Sequence, residues 1–148
     1  MTKRHLRILG AGLSCLLLLA TCKKGESIID PPDPPEPDFS GKWSGTYGDS
    51  VSNGTFTFTF TQNDTIVAGS YSAISSVGFA GGGTVSGNIS GKNFQVQTSA
   101  TSGSCTIVNN VSGSCTGFQR GSSLSATYAG TNTCGGSWSN GTLALTKQ

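Results

Sequence analysis

Asp49 and Asp64 are the only carboxylates between Phe39 and Gln148. A pair of acids is what glycoside hydrolysis asks of a protein, one to protonate the leaving group and one to attack or to activate water. Their contexts point elsewhere. Gly48-Asp49-Ser50 and Asn63-Asp64-Thr65 are turn sequences, where Asp is favoured because its carboxylate bonds to nearby backbone N–H groups. The single histidine, His5, lies in a segment whose composition marks it for removal. With it go histidine general bases, Ser-His-Asp and Cys-His nucleophiles and histidine metal sites. Gly81-Gly82-Gly83-Thr84 lacks the Lys and the strand-to-helix setting of a phosphate loop and reads as a flexible turn. The expectation is a protein that is not an enzyme, with no catalytic residue, no metal and no cofactor.

Five cysteines remain to be placed. Cys15 falls within the N-terminal segment and Cys22 at its end, which leaves Cys105, Cys115 and Cys134 for one disulfide in an exported, oxidising setting. Ser102-Gly-Ser-Cys-Thr106 recurs as Ser112-Gly-Ser-Cys-Thr116. A loop at Asn109 to Val111 would set Cys105 opposite Cys115; a turn at Arg120-Gly121 would instead bring Cys134 beside Cys115. Either way one thiol is left over. The three lack the Cys-x-x-Cys spacing of zinc sites.

The remaining side chains with binding capacity are aromatic. Trp43, Tyr47, Tyr71, Tyr128 and Trp138 recur in a weak internal repeat: Trp43-Ser-Gly-Thr-Tyr47, Val67-Ala-Gly-Ser-Tyr71, Val85-Ser-Gly-Asn-Ile89, Leu124-Ser-Ala-Thr-Tyr128 and Cys134-Gly-Gly-Ser-Trp138. They are candidate ligand contacts, for a sugar or a flat apolar molecule, or else the core of a domain short of large residues.

The elements that must position them are strands. Phe56, Phe58 and Phe60 alternate with Thr55, Thr57, Thr59 and Thr61, a period of two that puts rings on one face and hydroxyls on the other. Further runs are Ile66 to Ile74, Thr84 to Ile89, Phe94 to Gln97, Thr106 to Val108, Leu124 to Tyr128 and Leu143 to Leu145. Turn signals at Asn53-Gly54, Asn63-Asp64, Gly81-Gly82-Gly83, Gly91-Lys92, Asn109-Asn110, Arg120-Gly121 and Asn140-Gly141 imply short connections between antiparallel neighbours. The expected fold is all-β, an antiparallel meander of about eight to ten short strands closing into a small barrel or folding into a sandwich. Small residues at the repeat centres let a curved sheet approach itself closely. With Gly41-Lys42-Trp43 followed by Gly-x-aromatic strands, the chain resembles small up-and-down barrels of the lipocalin and avidin type. It also resembles bacterial lipoproteins with a Gly/Ser/Thr-rich β domain. None of the ligand-contact patterns of those barrels can be placed here.

Lys3, Arg4 and Arg7 precede an apolar run from Ile8 to Ala20, the order of an export signal, and Lys23 and Lys24 end the run too early for a spanning helix. Leu19-Ala20-Thr21-Cys22 resembles the lipoprotein signal motif, which implies acylation of Cys22. Thr21 departs from the motif, and cleavage after Cys22 with plain secretion is the alternative. The expected organisation is a signal over 1–22, a Pro/acid-rich linker over 23–38 and a β domain over 39–148. All five prolines stand in that linker, interleaved with Asp30, Asp33, Glu36 and Asp38, a composition for an extended spacer. In the β domain only Lys42, Asp49, Asp64, Lys92, Arg120 and Lys147 are charged, which leaves no basic stripe for nucleic acid. The functional expectation is a monomeric, lipid-anchored protein of the bacterial cell envelope acting as a binding or structural module. A lipocalin-like carrier of a small ligand and a protein inhibitor or adhesin are the alternatives.

Overall fold

The computed structural model describes residues 36–148 apart from residue 79; the 1–22 signal, Cys22 and nearly all of the 23–38 linker lie outside the described residues. Eight strands follow one another: β1 (Gly41–Gly48), β2 (Asn53–Asn63), β3 (Ile66–Ser75), β4 (Ala80–Ser90), β5 (Asn93–Ser102), β6 (Cys105–Cys115), β7 (Ser123–Asn132) and β8 (Gly136–Lys147). Each pairs antiparallel with the next, and β1 pairs with β8, from Trp43↔Lys147 to Gly48↔Thr142, so the meander closes into a barrel. Closure satisfies both edge strands, which an open sheet of Ser- and Thr-rich strands would leave exposed.

The alternation predicted for β2 holds. Phe58 and Phe60 are buried, Phe56 is half-buried, and Thr55, Thr59 and Thr61 face solvent. Four of the five repeat units lie on strands as read, with the flanking large residues and the small centre on the inner face. At Gly45 the small centre is required, because a Cβ there would run into the Ala144 carbonyl of the neighbouring strand. The fifth unit does not form: Cys134 lies in the β7–β8 turn.

Four turn signals are not turns: Asn53-Gly54 opens β2, just past the turn. Gly81-Gly82-Gly83 lies within β4, Asn109-Asn110 within β6 and Asn140-Gly141 within β8. Because β6 runs straight from Cys105 to Cys115, those two cysteines lie at its opposite ends and cannot pair. The disulfide joins Cys105 to Cys134, with Cα atoms 5.5 Å apart, and Cys115 is the buried free thiol. Neither pairing weighed from the sequence forms, although the bond does use two of the three cysteines named.

One end of the barrel is packed shut. Phe39, just before β1, lies fully buried beneath Trp43, with ring centroids 6.1 Å apart; Phe94 and Phe118 stand at 5.7 and 5.3 Å. The indole N–H of Trp43 donates to the Phe39 carbonyl at 2.9 Å, and the Lys147 ammonium sits 5.6 Å from the Trp43 ring centroid. Gln62 clamps the entering chain, accepting from the Phe39 N–H at 2.7 Å and donating to the Pro37 carbonyl at 2.6 Å. The tether's last residues are thus bonded to the barrel. Above this plug, Phe58, Phe60, Val67, Val85, Ile89, Val96, Val111, Leu124, Leu143 and Leu145 complete the core.

Candidate functional site

At the other end the inward positions become small. On β3 the residue after Tyr71 on the inner face is Ala73, on β4 the inner face opens with Gly81, and on β5 it ends with Ala100 and Ser102. These positions leave one side of the barrel wall without side-chain bulk. The space they vacate is a cavity of about 320 Å³, open at this end and mostly apolar in lining. That is the lower range of small-ligand pockets, about 300–1,000 Å³.

Tyr47, Phe56, Tyr71, Tyr128 and Trp138 supply its aromatic wall, with Ile107, Val111 and Leu143 between them. Phe56 and Tyr71 lie parallel with centroids 5.4 Å apart, and Tyr47 meets Phe56 edge-on at 6.2 Å. Four of the five aromatics singled out in the sequence therefore converge on one space. The fifth, Trp43, belongs to the packed end and touches none of it. Phe56, Asp49, Asn109 and Thr98 line the cavity without having been singled out as ligand contacts.

Trp138 reaches the cavity through a break in the strand period. Tyr128 pairs with Gly141 and Gly130 with Trp138, so Ser139 and Asn140 on β8 together oppose Ala129 alone. Asn140 takes φ 58°, the left-handed region that Asn tolerates, and the resulting bulge reverses the side-chain phase. Without that extra residue Trp138 would point outward from the face that carries Leu143 and Leu145. Gly130 makes room for it, since a Cβ there would strike the Trp138 ring at 2.7 Å.

Two hydrogen-bonded sets hold the rings. The Trp138 N–H donates to Asn109 Oδ1 at 2.8 Å, and Asn109 Nδ2 donates to the Thr98 hydroxyl at 2.9 Å. At the mouth, the Tyr128 hydroxyl donates to Asp49 Oδ2 at 2.6 Å. Asp49 Oδ1 accepts from the Val51 and Ser52 N–H groups at 2.7 and 2.8 Å, while the Tyr47 and Ser52 hydroxyls stand 3.2 Å apart. Asp49 does bond its own turn, as its context predicts, and it also reaches 79 residues along the chain to Tyr128.

Partial burial pushes the Asp49 carboxyl upward, but the Tyr128 hydroxyl and the Ser52 and Val51 N–H groups outweigh it and hold the group below its ordinary 3.8. Tyr128 is pushed well above the usual tyrosine range, first by burial and then by the adjacent Asp49. Burial also raises Tyr71, with Thr98 pulling the other way. At neutral pH the mouth therefore carries one negative charge.

No family model matches the chain, and no curated protein does. The geometry must speak for itself. It brings aromatic rings to one open, mostly apolar space and turns polar groups of the wall toward one another. Asp64 stands in the β2–β3 turn at the packed end. The 11 residues of β2 separate it from the Asp49 loop by roughly 35 Å, at about 3.4 Å per residue. Carboxylates that flank one glycosidic bond lie within about 10 Å of each other.

Proposed function

We propose that the protein is a binding module that takes a small, flat, largely apolar molecule into the open end of its barrel. The observation that carries this reading is the asymmetry of the interior: a packed core and plug at one end, and an aromatic-walled cavity left by Ala73, Gly81 and Ala100 at the other. A barrel whose aromatics served only as core would fill that space.

A flat apolar ligand suits the wall better than a sugar. The Trp138 N–H, the Tyr128 hydroxyl and one N–H of Asn109 are already spent on Asn109, Asp49 and Thr98, and a sugar would have to break those bonds to use these donors. Offset or edge-on aromatic contacts contribute about 0.5–1.5 kcal/mol each beyond area burial, so a few such contacts hold a small ligand. The module is non-enzymatic on this reading, with the lone Asp49 too far from Asp64 to share a reaction. Export and attachment through an acylated Cys22 form the rest of the proposal. A disulfide between Cys105 and Cys134 supports passage through an oxidising compartment.

Native mass spectrometry of the gently purified full chain tests the binding claim. The expected result is a co-purifying small molecule, one per chain. A bare chain that also takes up no added apolar dye overturns it.

A further inference from the structure

We propose, building on the reading of the barrel as a ligand-binding module, that the cavity selects a lipophilic ammonium ion: a small molecule with one positive charge on an apolar body. The charged residues of the β domain divide sharply between its ends. Lys42 at the start of β1, Lys92 in the β4–β5 turn, Arg120 in the β6–β7 loop and Lys147 at the end of β8 all lie at the packed end, as does Asp64. Asp49 is the only charged residue of the β domain at the open end, and it lines the cavity.

The cavity that this carboxylate lines is walled by aromatic rings. Tyr47, Phe56, Tyr71, Tyr128 and Trp138 all line it, and the partial negative charge on the face of an aromatic ring attracts ammonium ions. Oδ2 of Asp49 accepts one hydrogen bond, from Tyr128, and keeps a lone pair. An anionic ligand would be desolvated beside Asp49 with no cation to receive it. A neutral ligand would leave the carboxylate without a countercharge. An ammonium ion answers both the carboxylate and the rings.

Isothermal titration of the full chain with three probes of one shape tests this: (1-naphthylmethyl)trimethylammonium, its neutral carbon isostere 1-neopentylnaphthalene, and the anion 1-naphthylacetate. The cation should bind about tenfold or more tightly than the isostere, as a cation on aromatic faces beside a carboxylate requires, and the anion should bind weakest. Raising the salt concentration should shrink the ratio. Asp49→Asn keeps an acceptor oxygen for the Val51 and Ser52 N–H groups and should cut the ratio severalfold, to the smaller preference that the rings alone supply, whereas Asp64→Asn should leave it as in the parent. A ratio near one in the parent, a preference that Asp49→Asn leaves undiminished, or an anion that binds as well as the cation overturns the ammonium assignment. If the isostere binds without any preference for the cation, the binding module stands and the charge selectivity falls. If none of the three binds, the module falls with it.

Discussion

The two ends of this barrel are made from the same eight strands and the same period of two, yet one is solid and the other hollow. Phe56 and Phe58 show the difference at its smallest scale. They are two residues apart on β2 with their rings edge-on at 4.7 Å; Phe58 is fully buried in the core while Phe56 is half-buried and lines the cavity. The packed end also holds all four cations of the domain, the Trp43 ring under Lys147 and the Phe39 plug. The open end holds Asp49 and the disulfide. The contrast teaches that a wall of one architecture becomes core or pocket by whether its inward positions are Val, Leu and Phe or Ala and Gly.

Truncation separates the ends most strongly. Phe58→Ala should cost about 3–5 kcal/mol of stability, the usual loss for a fully buried ring, and Phe56→Ala less than about half of that. Denaturant titration of both variants checks the difference, and the comparison breaks if Phe56→Ala is the more costly. Ligand binding should fall in Phe56→Ala although it is the milder change to the fold.

The disulfide is the next largest effect. Cys105 and Cys134 tie the β5–β6 turn to the β7–β8 turn at the mouth, closing a loop with a sequence separation of 29. Replacing both with Ser should lower stability by about 3 kcal/mol. The loosening should concentrate at the open end, so amide exchange in β7 and β8 near the mouth should rise more than exchange around Trp43. Uniform acceleration at both ends would contradict the division.

The smallest effect is expected from Tyr128→Phe. Asp49 is held below its ordinary 3.8 in the folded protein, so its contribution is present above that value and is lost as pH falls through the lower folded one. Removing the Tyr128 hydroxyl takes away one of the groups that hold it down. The Asp49 carboxyl resonance should then titrate at higher pH than in the parent, and acid loosening of the mouth should begin earlier. An unchanged titration would show that the 2.6 Å bond does not operate in solution.

The sequence announces strands far better than it announces where they end. The alternation from Thr55 to Thr61 and the large-small-large repeats mark inner faces that the barrel keeps, because burial of every second residue is a property of the whole strand. Asn and Gly pairs are weaker guides, since they permit a positive φ without demanding one. Asp64, at φ 55°, does turn the chain; Asn140, at φ 58°, makes a bulge instead. Asn109 spends its side chain on Trp138 and Thr98 and leaves the backbone of β6 extended. Reading Asn109-Asn110 as a hairpin placed Cys105 opposite Cys115 and so hid the pairing with Cys134.

The cavity was half legible. Four of its aromatics stand out by repetition, but the space itself is written in Ala73, Gly81 and Ala100, and small residues announce a turn as readily as a hollow. Asp49 was read correctly as a turn residue; its second partner, Tyr128, lies too far along the chain for any local pattern to reveal.

The most direct test of the hollow end is to fill it. Ala73 faces inward between Phe56 and Gly81, beside a stretch of wall without side chains. Titration of the full chain with the neutral dye N-phenyl-1-naphthylamine should give saturable, one-to-one binding, and Ala73→Trp should abolish it while the chain keeps its cooperative thermal transition. Absence of saturable binding in the parent, or binding that Ala73→Trp leaves intact, would contradict the account.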